Sequence, residues 1–226
     1  MKKLFPIIIS ISIFFTILIV SIFSSAYNKN FYITQFKLNN IYSNEMVKQR
    51  NISPEIIADE VIGYLKNDFS NLNRKGYFTN EEIIHMKDVK NLFLTSKYIL
   101  ILCILLILIS TFMYIKKTKS IYSLLGKSIK YFIYTTIIIF LFLYFAFINF
   151  SESFIVFHKL LFSNDYWLLD ESTSIIINIM PEDFFLAHAA NVGKIFITLS
   201  VLFIVIILVI LKFMKRNSKE DKYANI

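Results

Sequence analysis

Four stretches of the chain carry no charged residue: Leu4–Asn28, Tyr98–Ile115, Tyr131–Ser151 and Ile195–Leu211. At 25, 18, 21 and 17 residues, they bracket the roughly 20 that a helix needs to cross the hydrocarbon core of a bilayer. They predict an all-α polytopic membrane protein, because a backbone in lipid must satisfy its own hydrogen bonds. The pattern reads as a single membrane domain over 1–226, with spans at about 4–27, 97–115, 131–151 and 194–213. The two outer segments, 28–96 and 152–193, read as a partly helical cap.

The first outer segment is too long for a structureless loop and should carry its own elements. Ser53-Pro54-Glu55 signals a helix start, with Ser53 as N-cap, Pro54 in the first turn and Glu55 complementing the dipole. Ile56, Ile57, Ile62, Leu65 and Phe69 then supply a helical apolar stripe. Thr79 to Glu82 fits a capping box. The helix that it opens carries His85 and Asp88 and should run on into the second span. In the second outer segment the third span should continue helically to His158, Ser163-Asn164-Asp165 reads as a turn, and Met180-Pro181-Glu182-Asp183 as a new helix start. Residues 116–130 form a short link, which makes spans two and three antiparallel neighbours. The polar tail from Lys215 to Ile226 reads as disordered.

Composition agrees with the pattern: 56% of residues are hydrophobic and the mean hydropathy is +0.60. The net charge of +8 does not mark a nucleic-acid partner, because of where it sits. Lys2 and Lys3 precede the first span, five lysines fill the link at 116–130, and five basic residues follow the fourth span. Of the 16 acids, 14 lie in the two longer connections. The positive-inside rule then places both termini and the link 116–130 in the cytoplasm, with the tail 214–226, and both long connections outside. Lys2-Lys3 with an apolar run also has the outline of a signal peptide. The run is too long for the usual h-region of about 7–15 residues, so it reads as a retained span.

The single cysteine, Cys103, lies in mid-span and excludes an intrachain disulfide and a thiolate metal site. There is no internal repeat, no Gly-rich phosphate loop and no His-Glu-x-x-His signature. Candidate chemistry gathers in His158–Asp170, which holds one of three histidines, the only tryptophan and two aspartates. Histidine exchanges protons near neutrality, and a tryptophan at a membrane edge suits an interfacial anchor. The same residues also suit simple packing on helix ends. His85 has Glu81, Glu82 and Asp88 on its own helix face, an arrangement that taken alone reads first as a solvated charged surface.

The run Asn164-Asp165-Tyr166-Trp167-Leu168-Leu169-Asp170, with Met180-Pro181-Glu182-Asp183-Phe184-Phe185 behind it, resembles the bacterial lipoprotein intramolecular transacylases, small four-span membrane proteins of Gram-positive bacteria. Glu82-Ile83-Ile84-His85-Met86-Lys87-Asp88-Val89-Lys90 resembles the family's histidine-bearing segment before the second span. The resemblance implies an O-to-N acyl shift: the sn-2 acyl chain of a diacylglyceryl-cysteine lipoprotein moves to that cysteine's α-amino group. It implies His85 and His158 as the catalytic pair. From their placement in the chain, Asp88 or Asp165 is the carboxylate expected to orient one of these rings, Tyr166 and Trp167 should line the lipid entrance, and Asn164 stands with them as a substrate-binding or orienting residue. His188 has no counterpart in it. The implied partners are diacylglyceryl lipoproteins and membrane lipid, with no nucleic acid, and no cofactor is implied.

Residue chemistry is compatible with that reaction. A neutral imidazole can take the proton of an attacking amine. Nucleophile and ester share one molecule, so no acyl-enzyme is required. A different reading is a non-catalytic sensor or accessory subunit whose outer segments bind a partner or a metal, with His85, Asp88, His158 and Asp165 as donors.

Overall fold

The computed structural model describes the backbone of residues 3–224 and the side chains of residues 3–216. Among the described residues it is wholly helical. The order is α1 (Leu4–Ala26), α2 (Lys29–Leu38), a 3₁₀ turn (Ile41–Ser43), α3 (Glu45–Gln49), α4 (Pro54–Lys66), α5 (Asn80–Thr118), α6 (Ile121–Ile148), α7 (Phe150–Leu161), α8 (Ile175–Ile179) and α9 (Glu182–Ala224). Helices α1, α5, α6 and α9 are long and apolar enough to cross a membrane. The 39 residues of α5 measure about 58 Å, nearly twice the hydrocarbon thickness of roughly 30 Å. Its charged first turns therefore lie beyond its apolar run, as the capping-box reading requires.

Two differences from the sequence reading concern helix ends. The third span does not run on unbroken: Asn149 (φ −107°, ψ 57°) leaves the helical region and separates α6 from α7. The tail is not irregular from Lys215, since α9 runs to Ala224. Asn225 and Ile226 lie outside the described residues, as does Lys2.

The chain divides into two compact units. The first comprises the described parts of Met1–Ser21, Tyr98–Tyr144 and Lys194–Ile226. Phe14, Phe132 and Phe196 form its buried aromatic centre, and Ile9, Tyr114 and Leu124 a second cluster. Ser10 Oγ reaches the Ser128 carbonyl at 2.8 Å, a small polar contact of the kind that lets helices approach closely where lipid supplies no hydrophobic drive. Leu108, Phe112, Ile138 and Phe142 are largely exposed and form the surface that lipid covers.

The second unit comprises Ile22–Lys97 and Phe145–Gly193. Its core joins Phe36, Ile57, Ala58 and Leu72 of the first inter-span segment to Ile175, Ile179 and Phe184 of the second. Helix α4 begins at Pro54, but the Ser53 hydroxyl donates to the Glu55 carboxylate at 2.6 Å and makes no bond to the helix backbone. The Phe69 ring packs so closely on Gly63 that an added Cβ would overlap it.

The capping box at α5 forms as read: Thr79 N–H donates to Glu82 Oε2 at 2.7 Å, and Glu82 N–H to Thr79 Oγ1 at 3.3 Å. Glu82 does more than cap. Its other oxygen accepts from Ser174 Oγ at 2.6 Å and from Ile176 N–H at 2.7 Å. The carboxylate is fully buried and ties α5 to the start of α8, 92 residues away.

Candidate active site

His85 stands one turn beyond Glu82 on the charged extension of α5, and His158 stands on α7. The structure brings the two rings to 5.9 Å, centroid to centroid, with planes 33° apart. Phe162 packs on both, at 5.2 Å from His85 and 5.6 Å from His158. Phe154, one turn before His158, lies 4.3 Å from its ring, and Trp167 stacks on the same imidazole at 5.0 Å and 30°.

The hydrogen bonds of His158 define its proton. Nδ1 meets the Phe154 carbonyl at 2.6 Å, and a carbonyl oxygen can only accept. Nδ1 therefore carries the hydrogen, and Nε2 presents its lone pair. Burial holds the pKa of His158 below its ordinary value of 6.5, against the opposing pull of that carbonyl. His85 lies lower still, at about 4, through burial first and the neighbouring His158 second, with the Asp88 carboxylate opposing both. Burial thus favours the neutral ring at both positions, which leaves each able to accept a proton.

Asp88 does not bond either ring. Its Oδ2 accepts from Asn164 Nδ2 at 2.9 Å, and Asn164 Oδ1 accepts from Tyr166 N–H at 3.1 Å. The pair fastens the turn after α7 to α5, and Asp88 reaches His85 through its charge. Among the described residues neither Asp88 nor Asp165 bonds a histidine ring, and the group that holds His158 is the Phe154 backbone carbonyl. Asp165 is exposed and contributes its carbonyl to a turn with Leu168 N–H at 3.0 Å. Tyr166 is 42% exposed at the rim of the site. Among the described residues no three His, Cys, Asp or Glu side chains are grouped to hold a metal ion. The four donors imagined for a metal do not converge.

Sequence reasoning missed the aromatic walls and the clamp. Phe154, His158 and Phe162 follow the i, i+4, i+8 spacing of one helix face, so that pattern was available in the chain. The bond of Glu82 to Ser174 has no local signature. His188 lies in a separate cluster. Asn191 Nδ2 donates to Ser25 Oγ at 3.0 Å, and Ser25 Oγ meets His188 Nδ1 at 2.9 Å. Phe31 and Phe184 pack on this imidazole at 4.4 and 4.6 Å, and burial lowers its pKa to about 4. Ser25 is fully buried, and these side chains pack together where the end of α1 meets the start of α9.

Comparison with known proteins agrees with this arrangement. The family model for lipoprotein intramolecular transacylase Lit matches residues 7–185. Among solved structures, the in meso structure of the membrane-integral lipoprotein intramolecular transacylase Lit from Bacillus cereus is similar at 29% identity and TM-score 0.77. It covers 96% of this chain and 98% of that chain. Structures of the Bacillus cereus protein with an H85R and an H85A mutation each match at 26% identity and TM-score 0.73. These two cover 98% and 97% of this chain, and 95% and 96% of those chains. No curated protein sequence matches. A family match over most of the chain, with a fold shared end to end with a membrane-integral member, makes this multi-pass protein a member of the lipoprotein intramolecular transacylase family.

Proposed function

We propose that the protein moves the sn-2 acyl chain of a lipoprotein's diacylglyceryl-cysteine to that cysteine's own α-amino group, giving the N-acyl lyso-form. The observation that carries this reading is the close approach of His85 and His158 in a chain of this family. A histidine was also the residue replaced in two of the similar Bacillus cereus structures.

In the mechanism we infer, the neutral α-amine attacks the sn-2 ester carbonyl. The N–C bond forms, the C–O bond to glycerol breaks, and one proton passes from nitrogen to the departing glyceryl oxygen. His158 takes the amine proton at Nε2; its Nδ1–H bond to the Phe154 carbonyl and the stacked Trp167 face favour the imidazolium that results. The neutral His85 relays that proton from the His158 imidazolium to the glyceryl oxygen, and both rings end neutral as they began. Proton transfer of this kind contributes roughly 10²–10⁴-fold. Holding amine and ester within one aromatic-walled site supplies up to about 7–11 kcal/mol of the barrier. Asp88 and Asn164 hold the turn that carries Tyr166 and Trp167, and Asp88 is placed to attract the substrate's ammonium before it loses its proton. Asp165 belongs to the exposed rim where the lipoprotein's polypeptide would leave.

The charge distribution supports both termini and residues 116–130 in the cytoplasm, with the site on the outer face. Expression in a host whose diacylglyceryl lipoproteins keep free amines tests the reaction. The lipoprotein's total mass should stay constant, while fragment ions move one acyl chain from glycerol to nitrogen. A free amine in the product, or a mass increase from a third chain, would overturn the proposal.

A further inference from the structure

Helix α7 is built with three faces, and only two are accounted for. Successive residues of an α-helix turn by about 100°. Phe154, His158 and Phe162 therefore share the face that packs into the site. Glu152 and Lys159 lie together on a second, exposed polar face. The third face carries Val156, Phe157, Leu160 and Leu161, at 53%, 53%, 78% and 43% exposure, with the partly buried Ser153 between them.

Four large apolar residues at one exposed face are not a normal solvated surface. Nor is α7 a span, since its 12 residues measure about 18 Å against a core of roughly 30 Å. The face also continues one that lipid already covers. Phe145, Phe147 and Ile148, the last turn of the membrane-crossing α6, are 65%, 44% and 57% exposed, and only Asn149 separates them from α7. After α7 the apolar surface extends through Leu168, 63% exposed. A short helix with one apolar and one charged face, leaving a span through a single non-helical residue, has the construction of an interfacial helix.

We propose that α7 lies in the bilayer interface, with Val156, Phe157, Leu160 and Leu161 among the acyl chains of the surrounding phospholipids. Lys159 and Glu152 then face the headgroups and water, the lysine stem lying along the apolar boundary. Insertion on this face sets the depth of the whole helix, and with it of His158, which projects about one sector further round. Combined with the acyl-shift reading, on which this last consequence rests, the leaflet itself holds the imidazole at the level of lipid ester carbonyls.

The test uses no lipoprotein and no turnover, so its failure is separate from failure of the acyl-shift reading. In full-length Cys103→Ser protein, single cysteines replace Phe157, Leu160 and Lys159, with Phe142 in the span as the lipid reference. Each is spin-labelled in phosphatidylglycerol–phosphatidylethanolamine vesicles, and collision with oxygen is compared with collision with a water-soluble nickel chelate. Labels at 157 and 160 should favour oxygen as the label at 142 does, while the label at 159 favours the chelate. Preference for the chelate at 157 and 160 would overturn the proposal. So would exclusion of both reagents with dipolar broadening, which would assign the face to a second copy of the chain. All four positions are exposed, so the labels leave the packed core intact.

Discussion

The imidazole of His158 stacks on the indole of Trp167 at 5.0 Å, and the same ring offers Nδ1 to the Phe154 carbonyl at 2.6 Å. An aromatic face and a carbonyl dipole both favour a positive ring, while burial opposes it and prevails, leaving His158 below its ordinary 6.5. Trp167 is the only tryptophan in the chain, so it reports on this histidine alone.

Protonated imidazole quenches indole emission more strongly than the neutral ring. Trp167 fluorescence should therefore fall on acidification with a midpoint below pH 6.5, and the change should vanish in His158→Ala. Activity should carry no limb at 6.5. It should instead rise through about pH 7.7–8.0 as the substrate's α-amine loses its proton, and fall more steeply at low pH once His158 is protonated. A fluorescence midpoint at or above 6.5 would contradict the burial argument.

Replacing His85 or His158 by alanine should each reduce the acyl shift by roughly 10²–10⁴-fold. Because the two act on one proton path, the double variant should be little worse than the poorer single one. His188→Ala should retain the shift in the protein that folds, since His188 bonds only the buried Ser25, but should cost about 1–3 kcal/mol by leaving the Ser25 O–H without its acceptor. Fragment mass spectrometry reads the first effect and melting in detergent the second. Equal loss of the shift in all three variants would remove the distinction between the pair and His188.

Acid should destabilise the fold in a window set by the same burial. Unfolded histidine binds its proton near 6.5, while His85 and His188 in the folded chain bind theirs at about 4. Between those values the unfolded chain holds more protons, so stability falls as pH drops from 6.5 towards 4. The melting temperature in detergent should decline across that interval, and His188→Ala should flatten part of the decline.

Glu82→Ala should be among the most damaging substitutions outside the pair. It leaves the Ser174 O–H and the N–H groups of Ile176 and Thr79 without an acceptor, at about 1–3 kcal/mol each. Glu82→Gln keeps one acceptor oxygen and should lie between wild type and alanine. Thermal melting ranks the three, and an alanine variant as stable as wild type would show that the clamp is dispensable.

Topology can be read by labelling intact cells with an impermeant thiol reagent. Cysteines at the exposed Lys75 and Ser172 should react, and one at Ser218 should not. Labelling confined to Ser218 would invert the orientation.

Much of the helical organisation is legible in the sequence because its causes are local or compositional. A bilayer of fixed thickness demands a fixed length of apolar chain, so four helices long and apolar enough to cross it appear as four uncharged runs. Thr79 and Glu82 are three residues apart, and the capping box follows from that spacing alone. The motifs around His85 and His158 are contiguous, so their resemblance to the transacylase family needs no folded chain. Tertiary structure decided the rest. Nothing in the order of residues says that the Glu82 carboxylate reaches Ser174, that Asn164 ties its turn to Asp88, or that Trp167 covers His158. Such contacts close long loops and leave no periodic trace, because they depend on how a small polar core happens to fill once the helices have met. The neutral state of His85 and His158 was likewise invisible. A pKa is set by the burial and dipoles that surround a ring in space, and here those come from Phe162, the Phe154 carbonyl and the facing histidine.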